Sequence, residues 1–518
     1  MLTEAGPQNK KRKGIIMNIS QTLERHALMN GHRVAVKFKD HIYTYEQVNK
    51  NVDSYAHLLI SLGVKKGDRV SIWLPNGMEF IYAFYAALKI GAIAVPINHL
   101  FKSAEAGYIL KDSEARFLFT TEEKIPLLKD QLSNLEKVLI TDSLPSYSDI
   151  FIEINSLLKN HSQTFYAKDL SPDQGACVLY TSGTTGNPKG VELSHYNLNT
   201  NAEFYADSIH LTEDHYGCIV TPLSHLLVLM AGLILIFMKG GKFYLFEKFS
   251  TKTVASKICE EKISFFIGVP AMYYMFLTLP DEPSFDMTSL EICITSGGHM
   301  PLEVRKQFES KYNTITLQAY GQTESSPVIT VDSLSRDRRF ESVGYPLPHL
   351  EVAIMDDNHN FLPPDEPGEI VVKGHCVMKG YWNNPDQTAK TVINGWLHTG
   401  DIGKMDEEGY VYLLDRKKDL IIVGGYNVYP VEIENVLYTH PAILEAAVIG
   451  EPNERLGEVP KAFIALKEGA SITKDEIIAY CLERLAKYKQ IREVEFIKEI
   501  PKTPSGKLMK RKLKTQYS

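Results

Sequence analysis

The sequence predicts an α/β protein, with a large N-terminal domain of doubly wound sheets and a small α+β domain at the C-terminus. Three observations predict it. Strand-like and helix-like stretches alternate along the first part of the chain, as parallel βαβ units require. The pattern turns β-rich around Gly368 to Gly374, and from about Asp419 the remainder reads as a compact mixed unit. Finally, 518 residues exceed what one core usually supports, so at least two domains are expected.

The elements follow in chain order. Residues 1–16 are polar, basic at Lys10, Lys11, Arg12 and Lys13, and aperiodic, so they are expected to form a disordered extension. Lys, Arg and Gly codons are purine-rich and Met17 stands just downstream. We read the block as a translated ribosome-binding site with the natural start at Met17; a basic membrane-attracting arm is the second reading. Ser20 is placed to cap a helix running to Asn30 and Gly31. Thr44 with Gln47 makes a capping-box pattern for a helix ending near Leu62 and Gly63. Residues 70–74 read as a strand, 78–90 as a helix stopped by Gly91, and 93–97 as the next strand. The most apolar run, 226–238, is too short to cross a bilayer and is closed by Lys239; a helix buried against a sheet is expected. Near the C-terminus, 446–449, 462–466 and 493–497 read as strands and 474 to about 488 as a helix. The charged Arg416, Lys417, Lys418 and Asp419 link the two parts.

Composition narrows the function classes. A hydrophobic content of 44% with 23% charged residues suits a globular enzyme. The net charge of −7 argues against a nucleic-acid binder. The six cysteines form no CxxC pair and stand mostly among apolar neighbours, so they read as reduced, buried thiols of a cytoplasmic protein. No secretory signal is read at the N-terminus.

Five clusters carry chemistry. Residues 180–190 hold three glycines, hydroxyls at Tyr180, Thr181, Ser182, Thr184 and Thr185, and Lys189. Glycine lets backbone N–H groups approach an anion, hydroxyls donate to phosphoryl oxygens, and lysine adds a mobile charge. It is not a Walker A loop, because Pro188 stands where the second glycine is needed. Apolar residues on both sides make it a strand–loop–strand or strand–loop–helix phosphate grip. The second cluster joins Ser296, Gly297 and Gly298 to Tyr320, Gly321, Gln322, Thr323 and Glu324: room for a purine, a stacking face, a phosphate donor and a hard oxygen ligand. The third, around Gly400 and Asp401, offers a carboxylate to two ribose hydroxyls. The fourth is Asp415 to Asp419 with Gly424 and Gly425, and the fifth is Thr503, Pro504, Ser505, Gly506 and Lys507.

In this order and spacing the clusters resemble the adenylate-forming superfamily of acyl-CoA synthetases, luciferases and peptide-synthetase adenylation domains, from about Ile19 to the C-terminus. The resemblance implies an N-terminal domain over 17–415 that includes a small β-barrel, a hinge at 416–419 pivoting on Lys418, and a mobile C-terminal domain over 420–518. It places Thr181, Ser182, Gly183, Thr184, Thr185, Gly186 and Lys189 on the ATP phosphates. Gly297, Gly298, His299, Tyr320 and Gly321 surround the adenine, and Asp401 and Arg416 hold the ribose. Thr323 touches the α-phosphate, and Glu324 and Thr184 serve Mg2+. Lys507 neutralises the transition state of adenylation, and Gly424 with Gly425 clears a tunnel for CoA. Singly, Tyr320 also reads as a core aromatic, Asp401 as a helix cap and Arg416 as a surface ion pair.

The acyl pocket falls at Ser224, His225, Gly297, His299 and Gln322, with His225 also a candidate catalytic group. Ser224 stands where an aromatic or Cys is more usual in the family, and His299 where alanine is common. Met378 to Trp382 and residues 421–430 look most like bacterial medium- and long-chain fatty acid CoA ligases. A fatty acid is therefore the first substrate reading. An aryl acid is the second, and a stand-alone enzyme loading a carrier protein the third. The expected partners are the acid, ATP and CoA, with Mg2+ as cofactor; a transient membrane contact and a homodimer stay open. If Met17 is the initiator, intact mass of protein made from native DNA gives a chain starting at Met17 or Asn18. A chain starting at Met1 or Leu2 refutes this.

Overall fold

Short strands such as Ile93–Pro96, Phe117–Thr120, Phe265–Gly268 and Ile292–Thr295 are buried at every residue. That is the pattern of parallel sheets covered on both faces. The computed structural model describes residues 18–128, 132–143, 149–158, 163–181, 188–298, 300–502 and 508–516. The extension expected at 1–16 lies outside them.

Among the described residues there are four sheets. In the first, Ile315–Tyr320, Ile292–Thr295, Phe265–Gly268, Tyr216–Ile219, Lys242–Leu245 and Val34–Phe38 run parallel as neighbours, with antiparallel strands at both edges. In the second, Ile93–Pro96, Arg69–Ile72, Phe117–Thr120, Lys137–Ile140 and Phe151–Glu153 are parallel, and the hairpin Gly175–Thr181/Lys189–Ser194 lies beside Ile93–Pro96. The expected βαβ unit is present as Arg69–Ile72, helix Met78–Lys89 and Ile93–Pro96. The β-rich segment is a five-stranded antiparallel sheet built on Leu350–Met355, Gly368–Gly374 and Trp396–Met405. The C-terminal part has its own sheet, in which Gly457–Leu466 pairs with Ile443–Asn453 and Glu493–Phe496. Its core, with Ile433, Leu437, Val448 and Ile464, is separate from the large ones.

Two helix ends depart from expectation. Ser20 is the first helical residue and not the cap, since the Asn18 side chain accepts its backbone N–H at 3.1 Å. The helix from Lys474 ends at Leu482, short of 488. The backbone N–H groups of Arg484 and Leu485 both turn back to the Cys481 carbonyl, and Leu485 still packs on the core, which extends the apolar rhythm past the helix. By contrast, the Thr44–Gln47 capping box is formed on a helix Tyr45–Ser61.

The run 226–238 is helical and buried, but not uniformly α. Leu226–Val228 and Leu235–Lys239 are α, and Leu229–Ile234 between them is a π-turn. Such widened turns occur often at functional sites. Of the described residues, no helix is long and apolar enough to cross a membrane. Cys177, Cys218, Cys293, Cys376 and Cys481 are buried free thiols, while Cys259 is half-buried.

Buried polar side chains tie the layers to the motif-bearing turns. Helix His195–Ser208 is capped by Ser194 with Asn197 and directly follows the glycine-rich hairpin. Asn197 donates to the carbonyls of His375 and Val377, and Asn201 both donates to Val328 O and accepts from Val328 N. Below the strand that carries Tyr320, Arg305 is buried against Asp332 at 2.5 Å and against the Thr316 carbonyl at 2.6 Å. Burial raises the Asp332 carboxyl pKa, opposed chiefly by Arg305. Arg305→Ala strands that carboxylate, so chemical denaturation should give a loss of about 3–5 kcal/mol.

Candidate active site

The glycine-rich stretch is a strand–loop–strand hairpin. Gly175–Thr181 pairs antiparallel with Lys189–Ser194, and Thr181 stands opposite Lys189. Ser182, Gly183, Thr184, Thr185 and Gly186 lie outside the described residues, so the hairpin is defined here by its rims. Tyr180 donates to Asp112 at 2.7 Å on one side. On the other, a Cβ at Gly190 would sit 2.9 Å from Val178 Cγ1 and 3.0 Å from Tyr180 Cζ, so this position needs glycine. Beside the rim lies a polar cleft of about 300 Å³ lined by Tyr108, Asp112, Lys189, Gly190, Tyr381 and Asn383.

The second motif group collects where parallel strands end. Phe265–Gly268, Ile292–Thr295 and Ile315–Tyr320 are neighbours. Gly297 and Gly298 follow the middle strand, and Gly321 to Glu324 the last. Ligands of open α/β sheets bind at such carboxyl ends. Gly321 is confined by its surroundings: a Cβ would meet the Pro327 carbonyl oxygen at 1.9 Å. Thr323–Ser325 is a single 3₁₀ turn, with the Gln322 N–H donating to Ser325 Oγ. Thr323 and Glu324 are half-buried there.

Tyr320, Asp401 and Arg416 meet in one chain of contacts. The Tyr320 hydroxyl donates to Asp401 Oδ2 at 2.9 Å, and Arg416 Nε lies 3.0 Å from Asp401 Oδ1. Asp401 and Arg416 face each other in the antiparallel register of Trp396–Met405 and Val411–Arg416. Burial first, then the Asp401 charge, pushes the Tyr320 hydroxyl well above its usual range, so it stays a donor. Asp401 also holds the Arg416 guanidinium pKa above its ordinary value. Asp401 lies in a strand, so the helix-cap reading falls, and Arg416 does form an ion pair, with a partner that is itself buried.

Glu324 and Lys189 converge on a residue that the motif reading did not single out. The Tyr381 hydroxyl donates to Glu324 Oε1 at 2.9 Å, and Lys189 Nζ stands over the Tyr381 ring at 5.1 Å from its centre. Burial and then Glu324 raise the Tyr381 pKa. The signal was available, because Tyr381 sits within the Met378–Trp382 motif, which was read for substrate class and not for the nucleotide. As to a metal, no group of three or more His, Cys, Asp or Glu gathers among the described residues. One carboxylate near the glycine-rich hairpin still fits Mg2+, which is commonly held by one or two carboxylates plus substrate phosphates. Thr184, the other candidate ligand, lies outside the described residues.

The acyl-pocket candidates are brought together in part. Ser224 and His225 precede the first turn of the run 226–238, and Leu229 N–H donates to the His225 carbonyl. A Cβ at Gly297 would lie 4.0 Å from Leu227 Cδ2 and 3.6 Å from Val269 Cγ1, so the start of that run borders the glycines. Residues 229–237 are packed into the main core. His299 lies outside the described residues.

Past Arg416 the chain makes a turn containing Lys417 and Lys418. Burial lowers the Lys418 pKa. The Asp415 carboxylate, nearly fully buried, accepts from Arg416 N–H at 2.7 Å and from Val431 N–H at 3.0 Å. Burial raises its pKa to about 6, with Lys510 opposing. Lys510 itself pairs with Glu434 at 2.8 Å. Gly424 and Gly425 form the two-residue turn between Ile421–Val423 and Tyr426–Val428, at φ of +58° and +87°. A hairpin turn of that kind favours glycine on its own account. A Cβ at Gly425 meets nothing within 4 Å, so the turn also offers open space. Lys507 lies outside the described residues, between Lys502 and Leu508, which form an isolated bridge.

Comparison with known proteins agrees with this arrangement. Residues 23–382 match the family described as AMP-binding enzyme, and residues 432–507 the AMP-binding enzyme C-terminal domain. The chain is 34% identical over 510 residues to a long-chain-fatty-acid–CoA ligase of Bacillus subtilis (strain 168), an alignment covering 93% of this chain and 91% of that one. It is 33% identical over 501 residues to a feruloyl-CoA synthase of Amycolatopsis sp, covering 95% and 98%. Among solved structures, the anthranilate CoA ligase AuaEII in complex with anthranoyl-AMP superposes with a TM-score of 0.91 at 29% identity, over 96% of each chain. With both of its parts matched, the chain belongs to the AMP-binding enzyme family.

Proposed function

We propose that the chain is an AMP-forming acid–thiol ligase of the cytoplasm that activates a carboxylic acid, first a fatty acid, and passes it to CoA. The observation that carries this is the contact chain Tyr320–Asp401–Arg416 at the end of the strand Ile315–Tyr320, with Glu324 just beyond it linked through Tyr381 to Lys189 on the glycine-rich rim. A carboxylate is a poor electrophile because its oxygen leaves badly. In the first half-reaction a carboxylate oxygen bonds to the α-phosphorus of ATP and the bond to pyrophosphate breaks. In the second, the CoA sulfur bonds to the acyl carbon, the carbon–oxygen bond to AMP breaks, and the thiol proton is released.

Each residue has a task of positioning or charge neutralisation, the main sources of assistance for such transfers. The 181–190 hairpin and Lys189 hold the phosphates, Tyr320 lies at the adenine, and Asp401 and Arg416 take the ribose. Glu324, with Thr184, would hold Mg2+, which supplies positive charge to the triphosphate. Thr323 reaches the α-phosphate and Lys507 steadies the charge that develops there. Rotation of residues 420–518 about Lys418 then exchanges Lys507 for Gly424 and Gly425, as lid motions do. Two variants separate the steps. Lys507→Ala should slow pyrophosphate release by about 10²-fold or more and leave thioester formation from supplied acyl-adenylate nearly untouched. Gly425→Leu should do the reverse. Its positive φ costs about 1–2 kcal/mol locally, so the melting temperature is followed alongside. Equal failure of both variants in both assays would sink the two-conformation scheme.

An aryl acid is the second reading, favoured by relatives that act on feruloyl and anthranoyl groups at similar identity. With a fatty acid, kcat/KM should rise with chain length until the acyl pocket expected beside Ser224, His225 and Gly297 is full. Each buried methylene is worth up to about 0.8 kcal/mol, so two carbons give up to about ten-fold. A flat response from short to long acids, with a clear preference for a benzoate or cinnamate, overturns the fatty-acid reading and leaves the ligase reading in place.

A further inference from the structure

Segment 378–382 touches two motifs at once. Its strand Gly380–Tyr381 pairs antiparallel with the exit strand of the glycine-rich hairpin, Gly380 opposite Glu192 and Tyr381 opposite Val191. Trp382 N–H donates to the Gly190 carbonyl at 2.7 Å and Lys379 N–H to the Glu192 carbonyl at 3.0 Å. At its other end Met378 N–H donates to the Glu324 carbonyl at 3.0 Å. The backbone of Tyr381 is itself fixed by Thr388 Oγ1 at 2.8 Å. The strand is therefore held without any help from the Tyr381 side chain.

That side chain is spent on the site. Its hydroxyl takes one oxygen of Glu324 and its ring face takes the Lys189 ammonium. Among the described residues, neither Lys189 nor Glu324 forms an ion pair. Two opposite charges flanking one site would otherwise neutralise each other, as a carboxylate and an ammonium do on contact. With an aromatic ring between them, the cation rests on a π-face and the carboxylate is oriented by a neutral donor. Among the described residues, Glu324 Oε2 and the ammonium of Lys189 have no hydrogen-bond partner.

We propose that Tyr381 is a positioning residue for adenylation, keeping the Glu324 carboxylate and the Lys189 ammonium apart and oriented for a metal-bound triphosphate. This rests on the reading of Glu324 as a Mg2+ ligand. Tyr381→Phe keeps the ring and removes only the hydroxyl. With Mn2+ as probe and a non-hydrolysable ATP analogue bound, electron paramagnetic resonance should show the Mn2+ dissociation constant raised about ten-fold, as for a lost hydrogen bond to a charged group. Binding of the analogue without metal should change by less than about two-fold, because the Lys189 contact survives. Tyr381→Leu removes the ring as well and should weaken the metal-free binding too. Unchanged Mn2+ affinity in Tyr381→Phe overturns the proposal. So does an equal loss with and without metal, since a collapsed site lowers both. Glu324→Gln tells the two ideas apart: wild-type Mn2+ binding there defeats the ligand reading itself, whereas its loss there with normal binding in Tyr381→Phe defeats only the positioning role.

Discussion

The amides of Asn197 and Asn201 set the geometry on which the rest depends. Both project from the helix that starts immediately after the glycine-rich hairpin, and both are buried. One grips the carbonyls of His375 and Val377; the other makes a two-way bond with Val328. Buried amides of this kind are costly unless fully satisfied, and rigid once they are. Three stretches far apart in sequence thereby share one frame: the hairpin, the turn carrying Glu324, and the segment carrying Tyr381. Ser326 adds a further tie, donating to the Cys376 carbonyl at 2.6 Å.

Much of this was legible in the residues. Periodicity located the βαβ unit at 69–96 and the capped helix at 45–61 because those segments obey local rules. The nucleotide group was legible because glycine, hydroxyl and carboxylate types have few other reasons to recur together. What stayed hidden was pairing across distance. Nothing in the order of residues says that Tyr381 reaches Glu324 or that Arg416 lands opposite Asp401, since both depend on strand register. Ser20 misled because a hydroxyl at a helix start looks like a cap, and only the placement of Asn18 decides between them. The run 226–238 was read from its apolarity alone. Its π-turn, and its burial in the main core from Leu226 to Phe237, follow from tertiary packing that periodicity does not report.

The boundary between the two parts is polar where a simple linker would be solvated. Asp415 caps Val431, the second residue of helix Pro430–Tyr438, and lies in the field of Lys510 and Glu434. Part of the electrostatic cost of burying that carboxylate is offset only while the C-terminal part stays where it is. Burial nevertheless wins and holds the carboxyl at about 6, so relative to an arrangement that exposes Asp415 the packed one gains as the carboxyl protonates.

Arg416 is the last residue of its strand, still in register with Asp401. The chain is thus anchored to the five-stranded antiparallel sheet up to Arg416, and leaves it only beyond that residue. The proposed pivot at Lys418 lies beyond that anchor, so it would turn what is downstream and leave Asp401 and Arg416 in place. On the proposed scheme, a nucleotide held by Asp401 and Arg416 would ride with the large part as a passenger while the small part changes its face.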